Sequence, residues 1–517
     1  MVKLHVFIAS VLFLVLTSCA SLPPQSSQSK TFALQNPDTT RLGARFSRGE
    51  QNHPGESAFH LLQDPVDAIA ARVELAESAD RTLDLQYYIW HDDLTGRELA
   101  AALLGAADRG VRVRVLLDDL GTNADDQVLL AISSHPNVKI KLFNPVADRQ
   151  FKSLATAFEF SRVNRRMHNK AMIADNEAAI LGGRNIGDEY FGASNVVAFG
   201  DLDVLLHGQI IRDVSSAFDE FWNSGSSYSI EQLMGHKAAP SALSDYRAKM
   251  DEYIKAEHDA PYVVDARARL AKILEAGDTN FAWGHATLLY DDPSKITRDP
   301  NDAQGHIMTK FAALNLKPEH EMLLISPYFV PGKEGVAWIR DLTEHGVRVT
   351  ILTNSLAATD VVAVNAGYQH YREDLLAAGV HLYELKPVGS SKVKAQRRFF
   401  GSSRASLHAK TYVFDRQTVF IGSMNLDPRS NRLNTEIGVL CNSPAIAGQV
   451  VDDVEPNLDT VAWRVEQRTD ANGKSRIVWI DTAEDGTVTT LDSEPDVSFA
   501  RRASVWFMGL LPIESEL

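Results

Sequence analysis

One signature, His-x-Lys-x4-Asp, occurs twice in this chain, and a chain with two copies must fold so that both serve one purpose. The first copy is His168, Lys170 and Asp175; the second is His408, Lys410 and Asp415. Each is followed by a small-residue turn and an asparagine: Gly182, Gly183 and Asn185, then Gly422, Ser423 and Asn425. The repeat reaches further back. Residues 83–90 and 323–330 read as apolar strands, each followed by a helical stretch and a second strand pattern, at 110–117 and 346–352. Strands alternating with helices argue for α/β halves. Two such halves with one signature each imply a pseudo-twofold arrangement around a shared site.

Both signatures have strand composition, and residues two apart on a strand share a face. Each half therefore aims one imidazole and one ammonium the same way. A phosphodiester is the bond that needs this set. Its negative charge repels nucleophiles, and its leaving alkoxide is poor. Lys170 and Lys410, with amide donors from Asn185 and Asn425, would bind the non-bridging oxygens. One histidine can attack phosphorus and carry it as phosphohistidine. The other can protonate the leaving oxygen and then deprotonate the acceptor. The lysines supply positive charge, so neither metal nor cofactor is expected. Each imidazole also needs a carboxylate or carbonyl on its second nitrogen. Asp203 and Glu436, at the starts of apolar strands, are the candidates. Asp175 and Asp415 belong to the signature and so to the catalytic set, but they lie at strand ends. They are expected to organise the turn rather than move protons.

The chain has 517 residues, enough for several units. Residues 1–18 read as a targeting segment: Lys3 precedes an apolar run over 6–16 that is too short to span a bilayer. The tetrapeptide Leu16-Thr17-Ser18-Cys19 resembles a bacterial lipoprotein cleavage box, which implies lipidation of Cys19. Cys441 would then be the one remaining thiol, with no internal disulfide and a buried place in an apolar strand. Residues 19–58 are polar and read as a flexible tether. The halves are placed at 59–227 and 281–450, with a helical connector over 228–280 and an extension over 451–517. Within that extension, residues 499–511 mix Arg501 and Arg502 with Val505, Trp506, Phe507, Leu510 and Leu511, a pattern suited to a membrane surface or to a docked terminal helix.

The net charge of −15 disfavours broad coating of nucleic acid or anionic membrane. Local basic stretches nevertheless precede each signature. One carries Arg149, Lys152, Arg162, Arg165 and Arg166 among Phe151, Phe158 and Phe160. The other runs over 386–404. Basic and aromatic residues together suit an anionic, amphipathic lipid; a nucleic-acid groove can look similar.

The doubled signature resembles that of the phospholipase D superfamily. The stretches Leu85-Gln-Tyr-Tyr-Ile-Trp90, Asn164-Arg-Arg-Met-His-Asn-Lys170, Gly182-Gly-Arg-Asn-Ile-Gly-Asp188 and Phe420-Ile-Gly-Ser-Met-Asn-Leu-Asp-Pro-Arg-Ser430 are similar to bacterial cardiolipin synthases of the C type. The resemblance covers roughly residues 60–515. It implies two α/β halves with mixed β-sheets packed around one active site. It implies a phosphatidyltransferase taking phosphatidylglycerol as acceptor and phosphatidylethanolamine or phosphatidylglycerol as donor, with phospholipid membranes as its partner and no nucleic acid. It also implies His168 as nucleophile and His408 as acid, although the near-symmetry of the residues leaves that assignment open. Hydrolysis to phosphatidic acid, or a nuclease of the same superfamily, would use the same groups. The lipoprotein box implies an envelope enzyme facing the periplasm, and Ala20 resembles the outer-membrane sorting pattern.

Overall fold

The computed structural model describes residues 21–25, 29–122, 125–194, 198–257, 262–266, 268–269, 281–387, 405–469, 473–483 and 485–517. The targeting segment with Cys19 and residues 388–404 of the second basic stretch lie outside them.

The described residues form one continuous sheet of 18 strands, built from two equivalent runs. The first run, from its outer edge, is Ser227–Ser229, Val138–Phe143, Arg112–Asp118, Thr82–Tyr87, Ala171–Ala174, Ala178–Gly182, Asp203–Gly208 and Ser57–Leu62. The second repeats that order: Ala462–Thr469, His381–Leu385, Arg348–Asn354, Glu321–Ile325, Lys410–Phe414, Thr418–Gly422, Ile437–Asn442 and Ala282–Tyr290. In each run three neighbouring strands are parallel and the rest antiparallel, so the sheets are mixed. The two runs join where Ser57–Leu62 pairs with the first residues of Ala282–Tyr290.

Strands such as Arg112–Asp118 are buried along almost their whole length because both faces are covered. On one face of the first run lie Pro65–Ser78 and Leu94–Asp108, whose first turns are capped by Asp64 and Asp93. Between the halves a single core collects Phe59, Leu181 and Val204 from one run and Ile421 and Val439 from the other, closed by Phe218 and Val450 from two helices. Each such buried side chain contributes about 1.5–3 kcal/mol. This shared core holds the two signatures in one fixed relation.

Residues 29–58 differ from the expected tether. Helix Arg41–Asn52, capped by Thr40, buries Leu42 and Phe46. Ahead of it Ala33 N donates to Asp219 Oδ2 at 2.7 Å, and Trp222 Nε1 donates to Thr31 Oγ1 at 2.9 Å. So few apolar anchors set no visible period in a polar sequence. The expected end of the second half at 450 is also early. Ala462–Thr469 occupies the place that Ser227–Ser229 has in the first run, and Ser475–Thr482 and Val488–Leu491 widen the sheet beyond it. The connector region carries helices Ile230–Met234 and Ala242–Glu257. Cys441 is a buried free thiol, which burial pushes up. Among the described residues, no helix is long and apolar enough to cross a membrane.

Candidate active site

Each signature histidine stands just ahead of a central strand, Ala171–Ala174 or Lys410–Phe414, and the chain before it pairs with the opposite half. Met167 bridges Thr435; His168 N donates to Thr435 O, and Thr435 N to Arg166 O, both at 2.9 Å. In the other half Ala405–Leu407 pairs with Ala198–Gly200, and His408 N donates to Gly200 O at 2.8 Å. These two short pairings carry the next carboxylate of each half onto the histidine of the other. His168 Nδ1 meets Glu436 Oε2 at 2.8 Å, and His408 Nδ1 meets Asp201 Oδ2 at 2.7 Å. Both carboxylates are buried. A proton held on Nδ1 by a carboxylate leaves Nε2 with a lone pair for chemistry.

Glu436 is therefore the expected partner of an imidazole, and Asp203 is not. Asp203 accepts from Arg72 Nη2 at 2.8 Å and from the Arg184 backbone N–H at 3.2 Å, and the Arg184 guanidinium is 3.3 Å away. It neutralises two buried guanidiniums. Strand register explains the shift. Gly182 pairs with Asp203 where Gly422 pairs with Gly438, so Asp203 holds the place of a glycine and Asp201 holds that of Glu436. The quartets Asp201-Leu-Asp-Val and Glu436-Ile-Gly-Val carry the same message in sequence. Gly183 is required here, because a Cβ on it would fall 2.1 Å from Asp201 Oδ1. In its counterpart position Ser423 donates its hydroxyl to Glu436 Oε2.

Lys170 Nζ donates to His168 O at 2.6 Å, and Lys410 Nζ donates to His408 O. Burial draws Lys170 well below the ordinary lysine range and Lys410 down to about 8. Asn185 Oδ1 accepts from Ile89 N at 3.2 Å, which fixes the amide. Asn425 N donates to Ser430 Oγ at 3.3 Å, and among the described residues no donor reaches its buried Oδ1.

Asp175 and Asp415 do not face the histidines. Asp175 accepts from the backbone N–H groups of Asp80, Arg81 and Thr82 at 2.7–2.8 Å. Asp415 accepts from those of Glu319, His320 and Glu321, each at 2.8 Å. Both residues open hairpin turns with positive φ, 54° and 51°, a conformation that aspartate tolerates better than most residues.

The two dyads are electrostatically unequal. Burial would raise Asp201, but His408, Lys410 and Arg184 outweigh it and hold this carboxyl down at about 2. Burial pushes Glu436 up to about 7 against the pull of Lys170. Burial also lowers both imidazoles, His168 well below its ordinary value, and the Lys170 and Lys410 charges add to that. His408 keeps an opposing pull from Asp201, so it is the easier of the two to protonate.

Several site residues escaped the reading from sequence. The Tyr88 ring stands edge-on to His168 at 5.1 Å, with Lys170 Nζ 5.4 Å from its centroid. Tyr190 and Phe199 pack on His408 at 5.4 and 5.2 Å. The Tyr328 hydroxyl donates to Asp360, and Arg429 adds positive charge near His168. Tyr88 and Tyr328 occupy equivalent places just beyond equivalent strands, which was the available signal.

A family model described as "Cardiolipin synthase, PLD-like domain" matches residues 73–222 and 315–456. The chain is 40% identical to "Cardiolipin synthase C" of Escherichia coli (strain K12), over 89% of this chain and 96% of that one. It is 26% identical to "Cardiolipin synthase B" of the same strain, over 74% and 76%. Among solved structures, phosphatidylserine synthase from Haemophilus influenzae Rd KW20 superposes with a TM-score of 0.55 at 14% identity, covering 92% of this chain and all of that one. That likeness speaks for the fold.

Proposed function

This chain belongs to the phospholipase D-like cardiolipin synthase family, and from that premise we propose that it transfers a phosphatidyl group to phosphatidylglycerol, forming cardiolipin through a phosphohistidine. The observation that carries the reading is the exchange of carboxylates between halves, which makes two oriented imidazoles in one buried centre. His168 Nε2 attacks the donor phosphorus, and the P–N bond forms as the P–O bond to the headgroup breaks. His408 gives its Nε2 proton to the departing alkoxide. The acceptor hydroxyl then loses its proton to His408, attacks phosphorus and frees His168. Lys170 and Lys410 balance the charge on the non-bridging oxygens throughout. His408 suits the acid role because Asp201 stays ionised beside it; His168 suits the nucleophile because it stays neutral. Phosphatidylethanolamine or phosphatidylglycerol serves as donor in this reading, as the family likeness implies. The proposal places the enzyme on the periplasmic side of the envelope, held by a lipid on Cys19. The Leu16-Thr17-Ser18-Cys19 box supports the anchor, and Ala20 favours the outer membrane.

The test mixes protein purified from membranes with phosphatidylglycerol vesicles, with and without phosphatidylethanolamine, in the presence of chelator. Cardiolipin identified by mass, increased by phosphatidylethanolamine, is the expected product. Phosphatidic acid alone would replace transfer by hydrolysis. The mass of the purified chain reads the anchor: an unmodified N-terminal peptide containing Cys19 would remove it.

A pH profile follows from the shifts. His408 must hold its proton to act as acid and is itself lowered below 6.5, so kcat/KM should already decline as pH rises past the His408 range. Lys410, lowered to about 8, loses its cation on further rise and should steepen the fall above about pH 8. His168, lowered below 6.5, stays neutral as pH falls, so the acid limb should lie below pH 6.5. An alkaline limb above pH 10 would contradict the buried-lysine reading.

A further inference from the structure

Most of the exposed large apolar side chains among the described residues fall in two short segments. The first is the helix pair Lys152–Phe158 and Phe160–Val163, which buries only Val163. Phe151, Leu154, Phe158 and Phe160 stand out from it, Phe158 with 73% of its surface in solvent. The second is the C-terminal helix Phe499–Gly509 with the residues after it. That helix buries only Val505, while Phe499 is 87% and Trp506 69% exposed, beside Phe507, Leu510 and Leu511. Scattered apolar residues on a surface are ordinary; clusters of this size mark contact sites.

Both segments are tied by hydrogen bonds to residues that act on the active centre. Asn164, which ends the first segment, donates from Nδ2 to Glu516 Oε2 at 2.8 Å, and its carbonyl accepts from Arg429 Nη2 at 2.6 Å. Arg429 is one of the cations whose charge lowers His168, after Lys170, Lys410 and His408. In the second segment, Arg501 Nε donates to Leu356 O at 2.8 Å, and its Nη2 donates to Thr359 O. Thr359 leads into Asp360, which holds the Tyr328 hydroxyl and whose charge reaches Lys410. The first aromatic cluster is thus joined to the chain leading to His168 through Asn164, and the second to the loop of Asp360 through Thr359.

The charges at the second segment are also informative. Arg501 and Arg502 donate to backbone carbonyls, Arg502 to Glu494 O at 2.9 Å, and among the described residues neither forms an ion pair. Their charge remains available in a chain of net −15. Exposed Trp and Phe beside uncompensated Arg is the composition that settles at the boundary between headgroups and acyl chains.

We propose that these two segments form a bilayer-docking rim that seats the mouth of the active site on an anionic phospholipid surface. The rim delivers the phosphodiester of a lipid to the histidines while its acyl chains stay in the bilayer. This rests on the phosphatidyl-transfer reading for its purpose, but not for its test.

The full chain is reconstituted on vesicles of phosphatidylglycerol and phosphatidylcholine carrying a brominated phospholipid, and its tryptophan fluorescence is compared with that of Trp506→Phe. The signal lost in the variant isolates Trp506. Expected is strong quenching of that signal, greater with phosphatidylglycerol than with phosphatidylcholine alone and weaker at high salt. A second arm combines Phe158→Ser, Phe160→Ser and Phe507→Ser. Turnover of long-chain lipid in vesicles should fall about tenfold or more. Turnover of a short-chain phospholipid, monomeric in solution, should stay near wild type, which also shows that the variant is folded. Absence of Trp506 quenching would overturn the rim, as would equal loss on both substrates. So would a wild-type dimer that the triple variant dissociates, since the patch would then face a second copy. Quenching in a wild-type protein that transfers no phosphatidyl group would keep the rim and sink the proposed reaction instead. Transfer without quenching would do the reverse.

Discussion

Replacing His168 or His408 with alanine should each lower kcat by on the order of 10⁴-fold or more, because groups that act as one unit fail together. The double variant should be scarcely slower than either single one. The two variants should differ in what they leave behind. His408→Ala retains the nucleophile, so brief mixing with a donor bearing a good leaving group, which needs no acid, should trap phosphorus on His168. His168→Ala should trap none. Acid-labile, base-stable label located by peptide mass reads this directly. Label on His408 instead, or full turnover in either variant, would reverse or remove the assigned roles. Both imidazoles are buried, but neither belongs to the apolar cluster between the halves. Melting temperatures near wild type should accompany the loss.

Asp201→Asn and Asp203→Asn should separate chemistry from stability although they lie two residues apart. Asp201 accepts from His408 Nδ1 at 2.7 Å, and an amide there would favour the wrong tautomer. A fall in kcat of roughly 10²–10⁴-fold is expected. The loss of melting stability should be smaller than at Asp203, because His408 and Lys410 can shed their protons when Asp201 no longer balances them. Asp203 neutralises Arg72 and Arg184, all three side chains almost fully buried. Removing one partner of such a buried cluster costs about 3–5 kcal/mol, so Asp203→Asn should unfold several degrees lower. Whatever folded fraction remains should turn over at close to the normal rate. Denaturant melts and active-site titration distinguish the two effects. A normal melt with lost activity for Asp203→Asn would return it to the chemistry.

Much of this was legible in the chain. Strand patterns at 83–90, 110–117, 323–330 and 346–352 correspond to Thr82–Tyr87, Arg112–Asp118, Glu321–Ile325 and Arg348–Asn354, because strands covered on both faces must be apolar throughout. The turn role of Asp175 and Asp415 was also readable, since a carboxylate at a strand end finds backbone N–H groups before it finds a distant imidazole. The helix Arg41–Asn52 was not, because Leu42 and Phe46 are too few to make a period.

By itself the sequence determined that there are two halves, that each brings one histidine and one lysine, and that phosphodiester chemistry suits them. Those properties are local: they follow from spacing along a strand and from the side chains themselves. Which carboxylate orients which imidazole follows from the folded chain alone. Met167 pairs with Thr435, and Leu407 with Gly200, so each half completes the site of the other. No spacing within one half encodes that exchange. The inequality of Asp201 and Glu436 has the same origin: equal burial meets unequal neighbours, and those neighbours converge from distant parts of the chain.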